Sequence, residues 1–154
     1  EQLLKQKTMV ILTMSFDGVN DVHDYVRWPI KFKNFKKTLE HYKVLSKQYK
    51  LFKLNFWTTV SALNICDFEN IKGFAKENQI DHNWAFLNTP TALDVKYKNK
   101  FTNKAKSILQ DKEILKRVAT AKNNQGLLDL YIMKQDYLRK IHIEDYFKSD
   151  LNLS

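Results

Sequence analysis

The feature that most constrains the fold is an alternation between short β-forming runs and amphipathic helical segments. The β-forming runs cover residues 8–15, 51–61 and 82–87, and apolar residues recur with helical spacing in residues 32–49 and 67–78. The order strand–helix–strand–helix–strand is typical of parallel βαβ units, because a parallel neighbour requires a crossover connection. The sequence therefore predicts an α/β fold with a parallel sheet.

Further predictions concern the first strand, the loop after it and the start of the helix that follows. The run TMVILTMS at residues 8–15 is apolar almost throughout, which predicts a strand buried on both faces. A polar loop is expected to follow this strand. Asn34 is expected to cap the helix that comes next, since asparagine is a favoured N-cap residue.

The C-terminal part of the chain has a different pattern. Residues 101–110, 111–121 and 127–143 are predicted to be helical, and no strand signal follows residue 97. Three βα units do not close a barrel. We therefore expect residues 1–97 to be half of a larger α/β sheet whose missing strands precede Glu1. Residues 98–154 are expected to form a helical extension that packs on it.

Composition excludes several classes of protein. Cys66 is the only cysteine among the 154 residues. A disulfide framework and a zinc site built from several thiolates are therefore excluded. Cys66 is expected to serve in packing or capping, with a reactive thiol at a helix start as the alternative. No apolar run approaches the roughly 18 residues that cross a bilayer, so we expect a cytoplasmic protein with no membrane partner.

The net charge of +9 permits an anionic partner but does not require one. Only three of the 26 positive residues are arginines, and the lysines are scattered along the predicted helices. Specific readout of phosphates or bases usually relies on arginine forks. A solvated basic surface is the favoured interpretation, and nucleic acid is an improbable partner.

Polar residues follow each predicted strand, where parallel α/β folds gather their ligands. Ser15, Asp17 and Arg27 follow the first strand, and Thr59 and Asn64 lie at the end of the second. A serine hydroxyl and an arginine fork can clamp an amino-acid carboxylate. Asp17 and the glycine after it suit a tight turn at the strand end.

Plainer interpretations of these residues stay open. Ser15 can simply end a strand, and Arg27 can pair with Asp21 or Asp24 on the surface. His23 and Asp24 can form a general base with its orienting carboxylate. Adjacent residues rarely face each other in that way, so a solvated loop is the alternative for this pair.

The motif Ser-x-Asp-Gly at residues 15–18, with His-Asp at 23–24 and Tyr-x-Arg at 25–27, resembles the segment after the fourth strand in radical S-adenosylmethionine (SAM) enzymes. The similarity is to the SPASM/twitch type. Residues 58–64 are similar to the end of the fifth strand in that family, and the C-terminal helices resemble twitch-type tails in marine and phage-like sequences. The resemblance covers residues 8–147.

This resemblance implies a fold, a cofactor and a set of binding residues. The implied fold is a partial TIM-type barrel with residues 1–97 as its C-terminal half, and the implied cofactor is SAM. Ser15 and Arg27, twelve positions apart, match the residues that bind the SAM carboxylate in the family. Asp17 belongs to the same motif, and Thr59 and Asn64 are weaker pocket candidates. Leu87 falls where the sixth strand lends its backbone to the adenine.

In the family, a reduced [4Fe–4S] cluster cleaves SAM to a 5′-deoxyadenosyl radical, in many members for peptide modification. The Cys-x3-Cys-x2-Cys loop that ligates this cluster is absent here, and one cysteine cannot replace three thiolates. The sequence is therefore interpreted as a fragment that is inactive alone, and its catalytic residues and substrate are not assigned.

Two other functions compete with this interpretation. A basic nucleic-acid-binding α/β module would explain the +9 charge. A non-catalytic partner-binding domain would explain a half-sheet with an exposed edge and one apolar face.

Overall fold

A computed structural model describes residues 8–118 and 120–147 of the chain. The described part has one sheet of three parallel strands in the order β1-β2-β3. The strands are β1 (Val10–Ser15), β2 (Phe52–Val60) and β3 (Asp81–Phe86). The predicted α/β class, the parallel pairing and the three strand positions are confirmed.

Helices connect the strands and follow them. They are α1 (Asn20–Val26), α2 (Phe32–Gln48), α3 (Phe68–Glu77), α4 (Lys100–Ile108), α5 (Lys112–Arg117) and α6 (Gln125–Arg139). Their sequences explain several boundaries. Asn99 begins α4 with a capping box, in which the Thr102 hydroxyl accepts a bond from the Asn99 backbone N–H. The Asp111 carboxylate accepts two N–H bonds at the start of α5.

Strand alternation divides the sheet into two faces with different surroundings. The covered face carries the even-numbered strand residues, including Met14, Leu54 and Phe56, and packs against apolar residues of both α2 and α3. We call the other side the open face. It carries the odd-numbered residues, among them Ile11 and Trp57, which are 57% and 40% exposed. Both crossover helices therefore lie on one side of the sheet.

A second apolar cluster joins the carboxyl end of the sheet to the C-terminal helices. From the sheet region it includes Val60 and Phe68, and from the C-terminal helices Phe101, Ile114 and Leu128. All five are at most 1% exposed. The described helices after residue 98 thus pack directly on the carboxyl edge of the sheet, and this edge is covered by protein.

Several local predictions are wrong. β1 is not buried on both faces, since Met9 and Ile11 are 62% and 57% exposed on the open face. The expected polar loop contains α1. Asn34 does not cap α2, because the helix begins at Phe32, whose N–H donates to the Asp24 carboxylate. An apolar run predicts that its residues avoid water on average. It does not predict which face of the strand a neighbouring helix or strand covers.

Within residues 8–118 and 120–147, no helix combines the length and the apolar character needed to cross a membrane.

Candidate functional site

The three strand ends meet around a cavity of about 280 Å³, which we call the edge cavity. The sheet side of its lining comprises Asp17, Arg27, Thr59, Ser61 and Leu87. Helix α6 closes the other side with Tyr131, Gln135 and Arg139. The cavity lies where parallel α/β proteins bind their ligands, at the carboxyl ends of the strands.

Asp17 is the buried acid of this cavity, at 7% exposure. Its Oδ1 accepts the Thr59 backbone N–H at 2.7 Å, and its Oδ2 forms an ion pair with Arg27 Nε at 2.8 Å. Burial raises the pKa of Asp17, while the Thr59 N–H and the Arg27 charge act against that rise. Asp17 therefore ties the end of β1 to the end of β2 and to Arg27.

Arg27 comes directly after α1, and its backbone N–H donates to the His23 carbonyl at 2.8 Å. The Arg27 side chain forms its ion pair with Asp17. The predicted surface ion pair with Asp21 or Asp24 is therefore wrong. The Arg27 side chain is 32% exposed. A guanidinium has five N–H donors, and the ion pair with Asp17 engages the Nε edge. Within residues 8–118 and 120–147 its other donors make no hydrogen bond, so they can meet a ligand in the cavity.

Asn64 organises the turn after β2 and does not line the cavity. It is 1% exposed, its Oδ1 accepts the Ser61 N–H at 2.7 Å, and its Nδ2 donates to the Thr59 carbonyl at 3.0 Å. Both amide ends of Asn64 are thus used within the chain. Asn64 fixes the positions of Thr59 and Ser61, which do line the cavity.

The other predicted residues divide in the same way. Leu87 lines the cavity, and its N–H donates to the Val60 carbonyl at 2.8 Å. Ser15 is exposed at the end of β1 on the open face and is not part of the cavity lining. The structure therefore brings Asp17, Arg27, Thr59 and Leu87 together and leaves Ser15 outside.

The α6 wall is the part of the site that the sequence pattern did not reveal. Tyr131, Gln135 and Arg139 are spaced four residues apart. That spacing places the three residues on one face of a helix. It is the one feature of the sequence that could have indicated that they act together. It does not indicate which other element this face meets. That information comes from the packing of α6 against α1.

Contacts around Tyr25 hold α1 against α6. The Tyr25 hydroxyl donates to Asp136 Oδ1 at 2.8 Å, and Asp136 Oδ2 accepts the Ile143 N–H at 2.9 Å. Arg139 Nη1 donates to the Tyr25 carbonyl at 2.9 Å. Burial and the Asp136 carboxylate raise the pKa of Tyr25 above its usual range. The wall of the cavity is therefore bonded to the segment that carries Arg27.

His23 and Asp24 do not form a catalytic pair. His23 is 1% exposed and packs against the rings of Phe16, Phe32 and Phe35. Burial lowers its pKa to about 4, and the Arg27 charge adds to this shift. Asp24 instead binds Lys31 at 3.2 Å and accepts the N–H at the start of α2. Neither residue lines the edge cavity, and the solvated-loop alternative is also wrong for His23.

Two other groups carry atoms that could ligate a metal or a cluster. Ligand atoms of Asp136, His142 and Glu144 lie within 4.8 Å of one another, but both oxygens of Asp136 already accept hydrogen bonds. Cys66 donates through its Sγ to the Phe101 carbonyl at 3.3 Å, which fits packing. A [4Fe–4S] cluster needs several thiolates, and this chain offers one. The residues present therefore do not fit such a cluster.

Comparisons of this sequence and structure with known protein families, curated proteins and solved structures give no match.

Proposed function

We propose that the edge cavity binds the amino-acid end of SAM, and that this chain is the SAM-carboxylate half of a radical SAM enzyme. One observation carries the proposal. Of the six residues that the resemblance assigns to SAM, the four named Asp17, Arg27, Thr59 and Leu87 line one cavity. They come from three separate strand ends, so no single local motif accounts for their convergence.

The size and chemistry of the cavity support an amino-acid-sized ligand. Its volume of about 280 Å³ lies just below the roughly 300–1,000 Å³ of pockets for drug-sized ligands, which suits a smaller ligand. The Arg27 guanidinium suits a carboxylate, and Asp17 suits an α-ammonium group. The adenosine part of SAM would extend beyond this cavity along the strand ends.

The sheet supports a place in a larger barrel. Its strands follow one another in chain order, and both crossover helices cover the same face. This arrangement matches an arc of a TIM-type barrel, in which helices lie outside and the opposite face lines the interior. The open face, with exposed Met9, Ile11 and Trp57, would then meet the remaining strands of the barrel.

This chain does not contain the cysteines that the cluster of such an enzyme needs, so its own part is limited to binding SAM. A peptide substrate and a cytoplasmic setting follow from the resemblance and the cysteine usage as part of the same proposal. The chain by itself is expected to bind SAM weakly and to leave it intact.

The test is a titration of the chain with SAM, followed by NMR. Arg27→Gln removes the proposed carboxylate contact and should weaken binding about tenfold or more, the usual effect of losing a charge-assisted hydrogen bond. Lys134→Gln makes the same charge change at an exposed position of α6 and is the matched control. The proposal fails if the wild-type chain shows no saturable SAM binding, or if Arg27→Gln binds as well as Lys134→Gln.

Association through the open face is a second candidate function. The observation that favours it is the row of large apolar side chains on this face, where Met9, Ile11 and Trp57 are 62%, 57% and 40% exposed. Light scattering should then give a mass above that of the monomer, and Ile11→Lys should restore the monomer mass. A monomeric wild-type chain at high concentration contradicts self-association.

A further inference from the structure

The lining of the edge cavity has an unusual charge composition for this chain. The sequence contains three arginines against many lysines, and two of the three, Arg27 and Arg139, line this cavity. They come from different helical segments, since Arg27 follows α1 and Arg139 ends α6. Asp17 is the one carboxylate in the lining.

Arg139 is held in place by Tyr25 and Trp28, which lie before and after Arg27 in the sequence. Its Nη1 donates to the Tyr25 carbonyl at 2.9 Å. Its guanidinium carbon lies 5.6 Å from the Tyr25 ring centre and 5.8 Å from the Trp28 ring centre. These distances suit cation–π contacts, which hold a planar guanidinium without using its N–H donors. Arg139 therefore lies against the residues that flank Arg27 in the chain.

The charge of Arg139 has no acidic partner within the described residues. No carboxylate there lies within 4.0 Å of its guanidinium, whereas Arg27 has Asp17 at 2.8 Å. Asp136, one helical turn earlier, is engaged by the Tyr25 hydroxyl and the Ile143 N–H, and it lines a different groove. Two guanidinium groups thus line one cavity that has a single carboxylate in its lining.

We propose that Arg139 is a second carboxylate-binding residue of the edge cavity, so that a ligand carboxylate is held between Arg27 and Arg139. The positive charges of Arg27 and Arg139 repel each other across a small cavity. An anion bound between them attracts both, and this attraction outweighs the repulsion. The planar forks of both side chains suit carboxylate oxygens. The C-terminal helix α6 is then part of the binding site.

The ligand class is a small α-amino acid or a molecule that carries its amino-acid end. The carboxylate meets the two arginines, and the α-ammonium group meets Asp17. The identity of that molecule as SAM rests on the proposed function above, but the role of Arg139 can be tested without SAM.

The experiment uses L-methionine as the probe and L-methioninol, which lacks the carboxylate, as its matched control. The three arginines give three Nε–Hε signals in an NMR spectrum of the ¹⁵N-labelled chain, and single substitutions assign them. L-Methionine is expected to shift the signals of Arg27 and Arg139 and to leave that of Arg117 in place. L-Methioninol should bind about tenfold more weakly or worse.

Substitution separates binding from folding. Arg139→Gln should weaken L-methionine binding about tenfold, while Lys134→Gln should not change it. Arg139→Lys keeps the charge and a donor for the Tyr25 carbonyl, and it should give an intermediate affinity if the fork matters. Far-UV circular dichroism of each variant checks that α6 is retained.

Each outcome decides both the role of Arg139 and the identity of the ligand as SAM. If L-methionine binds through both arginines and SAM does not bind, the carboxylate-binding role of Arg139 is supported and the proposal that SAM is the ligand is refuted. SAM binding that Arg139→Gln leaves unchanged, with the Arg139 signal in place, supports SAM and refutes the role of Arg139. A wild-type chain that binds neither ligand refutes both.

Discussion

The two faces of the sheet are built from the same three strands, yet they differ in almost every physical respect. On the covered face Phe56 is fully buried, and its ring contacts those of Phe16, Phe35 and Phe74 at 5.2–6.1 Å. On the open face its neighbour Trp57 is 40% exposed. One step along β2 therefore moves a side chain from an aromatic core to the surface.

The open face is held together by polar bonds between strands. Asn83 Nδ2 donates to Asn55 Oδ1 at 2.8 Å, and Asn55 Nδ2 donates to Thr13 Oγ1 at 3.4 Å. Such cross-strand pairs contribute roughly 0.2–1 kcal/mol each. The comparison teaches that the stability of the sheet comes from the covered face, and that substitutions on the open face cost little stability.

The largest expected effect is on the covered face. Phe56→Ala should lower the free energy of unfolding by about 3–5 kcal/mol, because it leaves a cavity in the aromatic core. Trp57→Ala, one residue away, should cost about 1 kcal/mol or less. Urea denaturation of both variants measures the difference. Equal losses would show that the open face is also buried, for example in an oligomer.

The second effect tests the buried imidazole beside the covered face. Burial lowers the pKa of His23 to about 4 from 6.5. The unfolded chain therefore binds a proton at pH values where the folded chain does not. The free energy of unfolding should fall as the pH drops through this window, by up to roughly 3 kcal/mol.

His23→Phe removes this titration and should flatten the dependence of stability on pH between 6.5 and 4. His41→Gln, on the exposed side of α2, is the control and should keep the wild-type slope. Urea midpoints measured across this pH range provide the comparison. An unchanged slope in His23→Phe would mean that folding does not lower the pKa of His23.

A third and smaller effect concerns Gly18, where the chain leaves β1 and turns into α1. A Cβ at this position would lie 2.7 Å from the His23 backbone nitrogen and 2.8 Å from Val22 Cγ1. Gly18→Ala should therefore destabilise the chain by about 1–3 kcal/mol through overpacking. Thermal unfolding measures this loss.

Gly73→Ala in α3 is the matched control, because the Cβ that it would add has no atom within 4 Å apart from its chain neighbours and the backbone of its own helix. It should be stabilising by about 0.4–1 kcal/mol, since alanine favours a helix and restricts the unfolded chain. A stable Gly18→Ala variant would show that α1 can move away from the strand end.

The elements that were predicted well share one property. The strands and the longer helices repeat their apolar residues at a period that local geometry dictates, so the sequence alone locates them. The short helix α1 was missed because four of its seven residues are polar, which made the segment resemble a loop. The cap of α2 was misplaced because its acceptor, Asp24, precedes the helix by eight positions.

The candidate site was predicted in the same uneven way. Asp17, Arg27 and Thr59 were predicted to lie together because polar residues after parallel strands converge at one edge, whereas Leu87 was predicted from the resemblance alone. Arg139 was missed because it lies 112 residues from Arg27 and belongs to no local motif. Ser15 was placed in the site by resemblance, while its position in β1 directs it to the open face.

By itself, the sequence determined the α/β class, the parallel pairing of the strands and the polar character of their carboxyl ends. These follow from periodicity and from the need for a crossover between parallel strands. Tertiary structure alone decided which face of the sheet is covered, that Asp17 is the partner of Arg27, and that α6 forms a wall of the edge cavity. Each of these depends on contacts between distant segments, and no local preference of the chain encodes such contacts.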